Sequence, residues 1–158
     1  MTTTRSDHTA RRRSPVQLAA LAFGVVFLLV GIAGFIPGIT TGYDTMQFAG
    51  HHSEAMLLGI FQVSILHNIV HLLYGVAGVL LARTAPQARL FLLVGGIVYL
   101  VLWIYGLVIG HDSPANFVPL NTADNWLHLG LGVVMVALSF LYRKPVPSGR
   151  ASAGQAMP

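Results

Sequence analysis

Between Arg13 and Arg83, and again between Arg89 and Arg143, the chain carries no lysine or arginine. Within those two stretches run four long apolar segments, and such segments leave few folds open. Only 9% of the 158 residues are charged, 54% are hydrophobic, and mean hydropathy is +0.70. Soluble domains are nearer a quarter charged, so this composition points to an integral membrane protein. The length suits one compact unit.

Spanning length is about 20 residues, and the apolar runs meet it. They predict transmembrane helices at about 16–36, 55–81, 90–109 and 121–142. Pro15 fits a first helical turn. Gly24, Gly31, Gly34 and Gly38 form a smooth stripe against which another helix can pack closely. Ala82 to Arg89 reads as a short basic turn broken by Pro86. Residues 1–14 and 143–158 read as disordered basic tails flanking one domain over 15–142.

Orientation follows from the charges. All nine Lys and Arg lie in the N-terminal tail, the second-to-third turn or the C-terminal tail. The positive-inside rule then puts both termini in the cytoplasm of a multi-pass inner (plasma) membrane protein. The connections holding Asp44, His51, His52 and Glu54, and His111 and Asp112, face outward. A pI near 10.0 would point to nucleic acid in a soluble protein. Here the basic residues flank a membrane, so the partners expected are the bilayer and its anionic headgroups, with no nucleic acid. A protein partner would be a second copy or another membrane protein. Cysteine is absent, which excludes disulfides, thiolate metal sites and c-type haem.

The second apolar run carries a polar stripe. Ser64, His67, Asn68, His71, Gly75 and Gly78 follow helical spacing and share one face. A shift of 57 residues lays this run on the fourth: Ser64 meets Asn121, His67 meets Asp124, Asn68 meets Asn125, His71 meets His128 and Gly75 meets Gly132. The first and third runs share Phe-Leu-Leu-Val-Gly, at Phe27 and at Phe91, with a shift of 64. The expected fold is therefore all-α: a polytopic membrane protein of four transmembrane helices in two repeated hairpins, related by a pseudo-twofold along the membrane normal. Both stripes would face that axis. His67 and His128 lie roughly 22–24 Å above the inner basic boundary, which puts a polar pocket in the outer half of the bundle.

The segments Phe61 to Leu72 and Asn116 to Leu129, with Gly34 to Gly38, resemble the actinobacterial membrane family known as domain of unknown function 4383. The likeness covers roughly Val16 to Tyr142. It implies a four-helix inner-membrane protein and assigns no activity.

Four chemistries compete for the pocket. In the first, Ser64, Asn68, Asn121 and Asn125 join the histidines and Asp124 as hydrogen-bonding glue between helices. In this reading one histidine donates to Asp124. In the second, His67, His71, Asp124 and His128 hold a transition metal such as zinc or iron, with Asn68 and Asn125 orienting the ligands. The third is haem b between His71 and His128. The fourth is a proton or solute pathway, but the inner half offers only Tyr74, Ser139 and glycines to continue it. No nucleophile–base set, phosphate loop or other catalytic signature is present. The expectation is a non-enzymatic bundle with a His/Asn/Asp core that receives a ligand from the outer side. The runner-up is a metal- or haem-binding redox or transport component.

Overall fold

Polar cappers and close-packed glycines set the frame of the molecule. The computed structural model describes residues 12–143; residues 1–11 and 144–158, which hold most of the two expected tails, lie outside them. In chain order come α1 (Pro15–Ala33), β1 (Thr40–Thr41), a 3₁₀ turn (Tyr43–Thr45), β2 (Met56–Leu57), β3 (Phe61–Gln62), α2 (Ile65–Leu81), α3 (Ala85–Val108) and α4 (Thr122–Ser139). The chain is mostly helical, with a small antiparallel sheet at one end, ordered β1-β2-β3. Arg12, Arg13, Arg83 and Arg143 mark the other, basic end.

Four helix boundaries differ clearly from the sequence expectation. Residues 55–64 are not the start of α2. They form a tight hairpin that pairs Met56 with Gln62 and Leu57 with Phe61. Leu58 and Gly59 turn it with φ of 55° and 70°, a conformation glycine adopts freely. Ser64 then caps α2, accepting from the His67 N–H at 3.1 Å. In addition, α3 begins at Ala85 instead of residue 90. Thr84 caps it, and Pro86 sits in the first turn, where its missing N–H costs no hydrogen bond. Likewise α1 ends at Ala33, short of Ile36, and α4 ends at Ser139, short of Tyr142. Gly38, expected on the α1 glycine stripe, is a loop residue at φ 93°.

Glycines bring the helices together in two matching sets of contacts. A Cβ on Gly24 would lie 2.6 Å from the Val79 nitrogen and 3.0 Å from the Gly75 oxygen. One on Gly96 would lie 2.9 Å from both the Val136 nitrogen and the Gly132 oxygen. Leu28 covers Gly75 as Leu100 covers Gly132, and Asn68 packs on Gly34 as Asn125 packs on Gly106. These contacts between the first two helices have counterparts between α3 and α4, 72 residues on in the first helix and 57 in the second. The expected shift of 64, read from Phe-Leu-Leu-Val-Gly, does not match these contacts. The shift of 57 does.

A core of Ala20, Phe27, Ala88, Phe91, Leu92, Tyr99 and Met135 runs between the helices. At its centre Phe27 and Tyr99 stack at 5.6 Å and 8°. The outward faces are apolar as well: Leu29, Leu73, Val101, Leu107 and Val133 are all more than half exposed. Two helices, Pro15–Ala33 and Ala85–Val108, are long and apolar enough to cross a membrane, yet only 28% and 33% of those spans is buried.

The sheet end forms a lid over the bundle. Ala55, Leu57 and Val63 are buried against Val30, Ala33, Met46 and Phe61. The Ile65 and Leu66 N–H groups, free at the start of α2, donate to the Gln47 and Phe48 carbonyls. Gln17 ties the basic end together by donating from Nε2 to the Ala82 and Arg83 carbonyls at 3.1 and 2.8 Å.

Candidate functional site

The start of α4 repeats the start of α2. Asn121 caps it, accepting from the Asp124 N–H at 2.9 Å. Asp124 returns the bond: its Oδ2 accepts from the Asn121 N–H at 3.0 Å and from the Gln62 N–H of the lid at 3.1 Å. Asn121 Nδ2 also donates to the Ile60 carbonyl at 2.8 Å. The lid is thereby fastened to α4 by two bonds. Ser64 and Asn121, expected in the polar pocket, are instead helix caps.

Asn68 and Asn125 turn away from any common pocket. Asn125 Nδ2 donates to the Gly106 carbonyl at 3.0 Å, and Asn68 Nδ2 lies 3.9 Å from Met46 Sδ. Both side chains are buried against a glycine of the neighbouring helix. Each packs across a helix seam, and neither is hydrogen-bonded to a histidine.

His67, His71, Asp124 and His128 do line one cavity, of about 240 Å³, beneath the lid. Leu57, Leu58, Phe61 and Val63 roof it, and Phe27 and Tyr99 form its back wall. The remaining walls are aliphatic, from α1 and α4. Among the described residues, no Lys or Arg lines it.

The imidazoles are held by rings. His67 and His71 stack at 4.6 Å, His71 stacks on Phe27 at 5.8 Å, and His128 packs on Tyr99 at 5.1 Å. His67 Nδ1 lies 3.2 Å from the Gln62 carbonyl. The Nδ1 atoms of His71 and His128 are buried and have no hydrogen-bond partner. An unpaired buried polar atom costs about 1–3 kcal/mol, and the Oδ1 atoms of Asn68 and Asn125 and the Tyr74 hydroxyl are buried without a partner as well.

The geometry gives no support to the metal or haem readings. Among the described residues, no three His, Cys, Asp or Glu side chains are grouped to hold one metal ion. The Asp124 Oδ2 is engaged by two backbone N–H groups, and the expected histidine-to-Asp124 bond is absent from its partners. The cavity also falls below the roughly 300–1,000 Å³ typical of cofactor sites, and both candidate haem ligands rest on aromatic rings.

The family of the domain of unknown function (DUF4383) matches residues 17–141, which takes in all but the first two residues of α1, the other three helices, the lid and the cavity. The chain belongs to this family. No curated protein and no solved structure matches it. The family domain thus begins within α1 and ends just past α4.

Sequence reasoning missed the ring wall and the roof. Phe27 and Tyr99 are both aromatic at the 72-residue shift, a signal hidden by the competing match at 64. The roof was visible only in Gly59, which interrupts the apolar run from Ala55 to Val63.

Proposed function

We propose that this is a non-enzymatic, four-helix integral membrane protein that receives a small molecule in a cavity on its outer side. The exposed apolar faces of all four helices support a bilayer-spanning bundle, since water would not tolerate so much exposed apolar surface on a monomer. The charge distribution supports cytoplasmic termini and an outward lid. The matching glycine and asparagine contacts support two repeated hairpins about the Phe27–Tyr99 stack. At 17 residues, α2 is about 25 Å long. It is a short span that the lid extends toward the outer interface.

The unpartnered His71 and His128 nitrogens in a mostly apolar cavity carry the ligand reading. The walls favour a molecule of about single-ring size with an apolar body. The imidazoles favour a hydroxyl or carbonyl group on it. The lack of Lys and Arg disfavours an anionic group.

Native mass spectrometry on gently extracted protein tests this, beside a His71→Phe/His128→Phe variant. Phe keeps the ring packing and removes the unpaired nitrogens. The variant is expected to melt at the same or a higher temperature, because it relieves two unsatisfied atoms, and to lose a small-molecule adduct present on the wild type. Wild-type protein that is folded but carries no adduct, with only water in the cavity, would defeat the reading.

A further inference from the structure

The basic end holds a second site, unrelated to the cavity. An open recess of about 600 Å³ is lined by Arg12, Arg13, Arg83 and Arg143, with Thr84 and Tyr142. No carboxylate lines it. The described acidic residues, Asp44, Glu54, Asp112 and Asp124, all lie in the connections and helix start at the lid end. Four arginines are thus gathered with no carboxylate beside them among the described residues. Arginine favours phosphate because its planar fork of donors matches phosphate oxygens.

A second recess, of about 430 Å³, adjoins the first and shares Ala85, Tyr142 and Arg143 with it. Its other walls include Pro15, Val16, Phe140 and Leu141. Phe140 is 71% exposed and Leu141 46%. A cationic recess that opens directly onto an apolar one has the shape of a lipid: phosphate at one end, hydrocarbon at the other.

We infer that this composite recess binds an anionic phospholipid of the surrounding bilayer, with its phosphate among Arg12, Arg13, Arg83 and Arg143 and an acyl chain along Phe140 and Leu141. Gln17 holds the arginines in register by fixing the Arg83 carbonyl to the start of α1. The inference rests on the bilayer reading above. A chain that stays dispersed in water without detergent would defeat that reading before any lipid is weighed.

The test is lipid retention by native mass spectrometry after reconstitution in nanodiscs. The lipids are phosphatidylcholine alone, or phosphatidylcholine mixed with phosphatidylglycerol or cardiolipin. The wild type is expected to retain anionic lipid about tenfold over phosphatidylcholine. Arg83→Gln/Arg143→Gln is expected to lose that preference while keeping the wild-type melting temperature in phosphatidylcholine. Arg5→Gln/Lys144→Gln removes equal charge from the tails and is expected to keep the preference. Equal losses in both variants would mean diffuse attraction and would overturn a built site. Competition by inorganic phosphate or deacylated headgroup as effective as by intact lipid would also overturn it, in favour of a soluble phosphate site. If the recess variant fails to fold, Phe140→Ser/Leu141→Ser decides the matter: it must weaken retention of the intact lipid.

Discussion

Gly24→Ala and Gly96→Ala are each expected to destabilise the bundle by about 3 kcal/mol, the upper end for overpacking in a close-packed interface. At Gly24 the new methyl group meets backbone alone, and at Gly96 it meets backbone as well as the Val136 side chain, so in neither case can a rotamer change clear it. It would sit 2.6 Å from the Val79 nitrogen in one case, and 2.9 Å from the Val136 nitrogen and Gly132 oxygen in the other. The helices must separate to admit it, and separation forfeits dispersion contacts along the whole seam. Gly130→Ala supplies the contrast. Nothing lies within 4 Å of a Cβ there, so the change is expected to stabilise α4 by about 0.4–1 kcal/mol. Detergent-titrated unfolding reads all three. Equal effects at Gly24 and Gly96, opposite in sign to Gly130, are the signature of two equivalent seams. A harmless Gly96→Ala beside a damaging Gly24→Ala would break that equivalence.

Asp124→Ala is expected to cost about 2–3 kcal/mol and to loosen the lid. One carboxylate oxygen accepts from Asn121 and from Gln62. Its loss orphans two backbone donors at once and removes half of a capping box. Asp124→Asn can place its Oδ1 where Oδ2 now sits, so it should cost no more than about 1 kcal/mol. Proteolysis of the 55–64 hairpin together with thermal melting checks both effects. Equal damage from Ala and Asn would mean that the charge of Asp124 matters, and not its acceptor geometry.

The polar spacing was legible in the sequence because matched residues make matched contacts. Ser64 and Asn121 cap, Asn68 and Asn125 press on a glycine, and His71 and His128 each lie on an aromatic ring. Polar residues in an apolar run are scarce, so their spacing is informative. The register of α1 against α3 was not legible from apolar letters, because Phe-Leu-Leu-Val-Gly is ordinary in such helices. The glycine contacts set the register. The Ala55 to Val63 segment read as helix because a short apolar run has no decisive period. Only Gly59, and the capping role of Ser64, point to a hairpin. Pro86 looked like a break but sits where a helix starts. Of the eight residues expected in the pocket, the four that line the cavity are those with imidazole or carboxylate groups. The other four were consumed by backbone capping and helix packing.

Both proposed sites depend on which end of the bundle faces the cytoplasm. The natural absence of cysteine makes one measurement direct: labelling of single-cysteine variants in intact cells with a membrane-impermeant maleimide. His52 and Gln87 are exposed, the first beside the lid and the second at the basic end. His52→Cys is expected to label in intact cells, and Gln87→Cys only after permeabilisation. The reverse pattern, or labelling of both in intact cells, would contradict a membrane bundle with an outward lid and cavity.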